Sequence, residues 1–230
     1  MRDRIKNKEY FDICIKDNKE TIKICHEVFN SGEELSEDRI SQVSCALFYA
    51  KKNILIAKYS RGDSVKDLVD GYKELLILES ELWHPETWAY IDGLDFISIG
   101  RLLGLDDLVL KTYVPLIEKA KRNDWLYNFI LFEKNTDAPL IYSRPYKWLQ
   151  KVVNAEGTER ITLLRDYLSK KWYSGHSREG WYDNHNHPDH IYRGYWSWEA
   201  GAVAKILGLN DESLKEQQYY PYDLVHFNGK

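Results

Sequence analysis

From end to end, this sequence spaces its apolar residues by threes and fours, and no stretch alternates apolar with polar residues between hairpin turns. That period is the α-helix's, because side chains three and four apart share one face. The chain is therefore expected to be all-α, a multi-helix bundle of stacked antiparallel hairpins. Residues 3–30 carry Phe11, Cys14, Asn18, Ile22, Cys25 and Phe29 at this spacing and stop at Ser31-Gly32. Ser36 can cap a second helix with Ile40, Val43, Leu47, Ile54 and Ala57 on one side, broken by Arg61-Gly62-Asp63. Ser64, with Asp67 placed as in a capping box, starts a third that buries Leu68, Tyr72, Leu75, Leu76 and Leu82. His84-Pro85 opens a fourth helix, with Pro85 at a first helical position, and Gly104 ends it. Pro115 is expected to kink or end the next. A short helix follows at 125–132, then a Pro-bearing loop at 133–145, read as a joint between domains, then helices at 145–153 and 158–172. Two helical domains result, 1–120 and 121–230, packed as one unit.

The stretch 181–209 is the densest in chemistry. It begins as a loop rich in His, Asp and Asn and continues as a helix from Tyr192, with Tyr195, Trp198, Ala202 and Ile206 in its stripe and Gly208 as a left-handed cap. Glu199 lies inside that stripe, so it is expected to be at least partly buried with hydrogen-bond partners, a structural residue first. Residues 203–212 echo residues 99–108: each has a helix end, a glycine, a leucine and an acidic start to the next helix. Nine positions before each glycine stands a carboxylate, Asp95 in one copy and Glu199 in the other. Paired, stacked hairpins would give such an echo, and so would good capping chemistry alone.

Composition narrows the function. At 230 residues, 43% hydrophobic and 30% charged, the chain can bury a core. A net charge of −4 argues against a nucleic-acid binder and leaves a basic protein partner open. The charged N-terminus has no apolar signal core, and no apolar run could span a membrane, so a cytoplasmic protein is expected. Cys14 and Cys25 sit on one helix, roughly 16 Å apart by helical rise, beyond the about 7 Å of a disulfide. With Cys45 they read as buried free thiols.

His185-Asn186-His187-Pro188-Asp189-His190 fits H-x-H-x-D-H, a zinc-binding pattern of the metallo-β-lactamase fold. That pattern belongs at the end of a strand with further ligands downstream. Here no strand precedes it and only His226 follows, so His185, His187 and His190 read as a hydrogen-bonded polar loop. There is no nucleophile elbow, P-loop or dinucleotide fingerprint. Asp95 with Glu199 is the one pair that could serve a carboxylate-dependent hydrolase.

Three stretches resemble one family. Residues 192–209, YRGYWSWEAGAVAKILGL, with Tyr219-Tyr220-Pro221-Tyr222-Asp223-Leu224, look like the C-terminal domain of PoNi-type immunity proteins, as does Gly180-Trp181-Tyr182-Asp183-Asn184-His185. Arg2-Asp3 through Phe11 resembles the N-terminal domain. Trp198 stands where that pattern usually has Phe, and His187 and His190 are outside it. The resemblance implies an all-helical cytoplasmic immunity protein, not an enzyme and without a cofactor, that binds and blocks a toxic nuclease effector (a DNase) used between competing bacteria. Its partner would be that nuclease, with no nucleic acid or membrane bound. The acids expected to face it are Asp92, Asp95, Asp106, Asp107, Asp183, Asp189 and Asp211, at turns and helix starts. The alternative is a metal- or carboxylate-dependent hydrolase using residues 183–199.

Overall fold

The structure is a computed structural model that describes residues 1–82 and 90–228. Among them every regular element is helical, as the spacing requires, and none is long and apolar enough to cross a membrane. The expected helix start at Pro85 lies outside the described residues. The chain divides into two compact units, Met1–His84 with Asp183–Tyr195, and Pro85–Tyr182 with Trp196–Lys230.

In the first unit α1 (Lys8–Phe29) packs along α2 (Glu37–Arg61), and α2 against α3 (Leu68–Leu82). Helix α1 starts five residues later than the expected bounds of 3–30. Asp3 Oδ1 accepts the amides of Ile5 and Lys6, both at 2.8 Å, which holds a turn there, and Asn7 then caps the helix through the Tyr10 amide at 3.0 Å. Phe11 and Cys14 are buried beneath it. All three thiols are free, and burial pushes that of Cys14 up to about 11. Cys45, expected inside, is exposed. So are Phe29 and Ile40: the stripes of α1 and α2 overshoot the width of the packed face.

Helix α2 ends where the sequence breaks. Gly62 takes φ 98°, and Arg2 Nη1 donates to the carbonyls of Tyr59 at 3.0 Å and Asp63 at 2.7 Å. A Cβ on Gly62 would lie 2.9 Å from the Met1 backbone, so glycine is required there twice over. Ser64 makes no capping box. The Asp67 amide bonds the Ser64 carbonyl at 3.1 Å in a 3₁₀ turn, Val65–Asp67, which leaves the hydroxyl no amide to accept.

The late segment 183–195 completes this unit. The Tyr192 hydroxyl donates to Asp3 Oδ2 at 2.5 Å, the Tyr192 amide donates to Tyr10 Oη at 3.0 Å, and Ser60 Oγ donates to the Arg193 carbonyl at 2.6 Å. These bonds and Gly194 at φ 116° keep 191–197 extended, so the helix expected from Tyr192 begins at Trp198. Tyr192 and Tyr195 are buried nonetheless, which is why their spacing imitates a helix.

The second unit contains α4 (Tyr90–Leu102), α5 (Asp106–Lys119), α6 (Trp125–Phe132), α7 (Ser143–Asn154) and α8 (Glu159–Asp166). A π-helical segment, Tyr167–Trp172, then leads into α9 (Tyr173–Gly175), and α10 (Trp198–Ile206) and α11 (Tyr222–Val225) follow. Helix α10 is central, against α4, α6, α7 and α11. Helix α5 runs through Pro115 instead of ending there. Pro115 and Lys111, whose carbonyl loses its amide partner, are both exposed, so the lost bond falls on the outer side of the helix. The loop read as a domain joint lies inside this unit and is tied to Asp124. Its Oδ1 accepts Tyr90 Oη–H at 2.8 Å and the amides of Leu126 and Tyr127 at 2.9 and 3.1 Å, and its Oδ2 accepts the Ile141 amide at 2.8 Å.

Candidate functional site

The two echoing segments end their helices in the same way. Gly104 and Gly208 take φ 72° and 58°, and the leucine after each sends its amide back to a carbonyl five residues earlier, Leu105 to Gly100 at 3.0 Å and Leu209 to Ala204 at 3.1 Å. Three residues before each glycine stands a cation that stitches the next helix end. Arg101 Nε donates to the Ile130 carbonyl at 3.2 Å, near the end of α6, and its other nitrogens meet Asp106 at 2.6 Å and Glu133 at 2.8 Å. Lys205 Nζ donates to the carbonyls of Leu102, the last residue of α4, and Phe227, both at 2.7 Å. Burial holds the Lys205 ammonium below its usual range, Asp106 opposes that shift, and Arg101 adds to it. The two junctions are therefore neighbours within this unit.

The acids that follow the junctions differ. Asp107 is exposed at the start of α5, and Asp106 is half-exposed beside Arg101. Asp211 turns inward: it is 2% exposed and accepts from the Tyr220 hydroxyl at 2.5 Å and from His226 Nε2 at 2.8 Å. It serves the fold as an internal acceptor, where the sequence placed it at the surface. Asp92 and Asp95 are half-buried on α4, and burial with the nearby charge of Asp92 raises Glu179 above the usual carboxylate range. Asp183 and Asp189 are exposed and belong to the first unit, whereas the other five belong to the second.

Glu199 lies 2% exposed at the start of α10, where its Oε1 accepts from Tyr167 Oη–H and Ser197 Oγ–H, both at 2.7 Å. Burial raises this carboxyl, while those bonds and one from Trp172 pull it back down. Beside it, the buried His176 donates from Nδ1 to the Trp172 carbonyl at 2.7 Å and accepts the Tyr146 hydroxyl on Nε2 at 3.1 Å. Desolvation lowers that imidazole to about 4, so it is neutral. Burial, with the charges of Glu199 and Asp95, holds the Tyr146 phenol well above its ordinary value. The spacing of Glu199 in an apolar stripe pointed to this cluster. Nothing in the sequence marked His176 or Tyr167, which are brought in by the π-helical segment.

The histidines of the H-x-H-x-D-H pattern go to local partners. His185 Nδ1 donates to Tyr195 Oη at 2.9 Å, which donates on to Asn184 Oδ1 at 3.0 Å. His187 Nδ1 accepts the Asp189 amide at 3.2 Å, and the ring of His190 lies 4.9 Å from that of Tyr10. Among the described residues no three His, Cys, Asp or Glu side chains converge as metal ligands.

An all-α architecture with paired, glycine-capped hairpins around a central buried glutamate thus defines the class of this protein. The chain belongs to the PoNe immunity protein (PoNi) family: the family's N-terminal model matches residues 2–114 and its C-terminal model residues 122–224. No curated protein matches it. Among solved structures, the crystal structure of protein PA2201 from Pseudomonas aeruginosa is similar, with a TM-score of 0.69 and 16% identity over 94% of this chain and 87% of that one. At that identity the likeness is one of fold.

Proposed function

We propose that this protein neutralises a cognate antibacterial nuclease by direct one-to-one binding in the cytoplasm, without catalysis or a cofactor. Membership of the PoNe immunity family is the observation that carries this reading. The net charge of −4 supports it, because a nuclease that grips phosphates must present Lys and Arg. The candidate contact acids in this proposal are, in the second unit, the exposed junction acid Asp107 with Asp106, Asp92 and Asp95 and, taken separately, Asp183 and Asp189 in the first. These carboxylates stand in for the phosphates of the nuclease's substrate. Glu199, closed in by Tyr167 and Ser197, is structural in this scheme. Charge complementarity acts chiefly on encounter, so association with the purified nuclease should slow steeply as salt rises, while dissociation changes less. Measuring both rates across a salt series tests it. A flat association rate would replace the acidic surface with an apolar interface, and failure to bind any PoNe-type nuclease would overturn the reading.

A further inference from the structure

We propose that the cleft between the first turns of α7 and the π-helical segment binds a multiply charged phosphate group, carried by a nucleoside polyphosphate or by free polyphosphate. The cleft has a volume of about 320 Å3, and its lining includes Arg144, Lys147, Trp148, Lys170 and Lys171. Its charge is built by the sequence. On α7, Lys147, Trp148 and Lys151 stand at steps of three and four and share one face, and Arg144 precedes them in non-helical backbone. Across the cleft the π-helical segment contributes two consecutive lysines, Lys170 and Lys171. Lys151 Nζ and Lys171 Nζ lie 4.1 and 4.7 Å from the centre of the Trp148 ring, so the indole gathers cations from both walls. Arg144 is fixed by one bond from Nη2 to the Ser174 carbonyl at 2.8 Å, which leaves the rest of its fork to donate elsewhere. Among the described residues, the carboxylate engaged by these five cations is Asp166, at 2.7 Å from Lys170.

Such crowding in a chain of net charge −4 is unfavourable by itself, and Lys147 with Lys151 is a like-charge pair one helical turn apart. An anion in the cleft relieves it. The positive end of the α7 dipole adds to the field there. The walls are held close: a Cβ on Gly175 would lie 2.6 Å from Pro145 Cβ, so α9 abuts the start of α7 and the cleft cannot widen freely. A cleft of this volume suits a compact ligand of several charges. An extended duplex would also meet the acidic remainder of the surface, which disfavours it.

The test uses the full-length protein at low salt, titrated calorimetrically with inorganic tripolyphosphate, adenosine triphosphate and a short DNA duplex, beside the double variant Lys147→Glu/Lys170→Glu. Both lysines are exposed, so the variant should melt like the parent. Saturable one-site binding of tripolyphosphate, weakened at least about tenfold in the variant, is the expected result. Equal affinity for the nucleotide would mean that phosphate alone is read, and tighter nucleotide binding that the base is read as well. Absence of saturation, equal binding by the variant, or tighter binding of the duplex at equal phosphate concentration would overturn the proposal.

Discussion

Glu199 and His176 show how single buried groups set the stability of the second unit. Glu199→Ala leaves the hydroxyls of Tyr167 and Ser197 buried without their acceptor and should cost about 3–5 kcal/mol, whereas Glu199→Gln keeps an oxygen in place and should cost less. Denaturant midpoints decide it: an alanine variant as stable as the parent would refute the role. His176 gives the stability a pH window. Its folded value of about 4 lies below the ordinary 6.5, so its contribution is complete above pH 6.5 and is lost as pH falls towards 4. Protonating Nε2 would set an N–H against the Tyr146 hydroxyl, which must then turn its proton away. The shift corresponds to about 3 kcal/mol, and His176→Gln should remove that part of the acid destabilisation when midpoints are compared from pH 7 to 4. Glu199 runs the opposite way: its raised value makes its contribution greatest at low pH and diminishes it as pH rises through the folded value. Glu199 could be singled out in the sequence because a carboxylate in an apolar stripe breaks the pattern. Asp124 could not, since an aspartate before a helix reads as an ordinary cap, and its bonds to Tyr90 and Ile141 span 34 and 17 residues.

At the scale of elements, the two glycines of α10's vicinity do different work and should respond differently to the same change. A Cβ on Gly201 would lie 2.6 Å from Pro221 Cγ and 3.2 Å from Val225 Cγ2, so Gly201→Ala must push α11 away and should cost about 1–3 kcal/mol despite alanine's better helix propensity. Gly208 has open space around its Cβ position but a φ of 58°, so Gly208→Ala should cost about 1–2 kcal/mol through backbone strain alone. Thermal melts of the two, each with a crystal structure, would show α11 displaced only in the Gly201 variant; an unmoved α11 there would refute the close-packing account. Helix ends of this kind were legible in the sequence, because a glycine followed by leucine and an acid announces its own geometry. Helix beginnings were less so. Residues 3–7 lead into the apolar stripe of α1 and residues 192–197 carry apolar residues at helical steps, yet Asp3 takes up the local amides in one and Ser60 and Tyr10 hold the other out of a helix. Spacing reports which residues are buried, and a buried extended segment can satisfy it by accident.

Across the whole molecule, sequence order and compactness part company. The family models run consecutively, 2–114 and 122–224, while segment 183–195 belongs with the first compact unit, pinned by a hydroxyl bond between residues 189 positions apart. No local pattern could reveal that, although the early Arg2-Asp3 pair is explained by it: Arg2 closes α2 and Asp3 receives Tyr192. Charge is unevenly spread as well, with cations gathered around Trp148 and acids at the helix junctions. That division allows the acidic surface to be tested apart from the fold. Asp107 is exposed and Asp211 is 2% exposed, although the sequence offers both as acids at equivalent junctions. If the acids steer a basic nuclease, Asp107→Lys should slow association several-fold, barely alter dissociation, and cost only the about 0.3–1 kcal/mol of a first-turn acid on a helix dipole. Asp211→Ala should do the reverse, lowering the melting temperature by stripping Tyr220 and His226 of their acceptor while association by the folded fraction stays as it was. Rates and melts measured on both variants separate the two roles: an Asp107→Lys variant that associates as fast as the parent would mean that the nuclease approaches a different face.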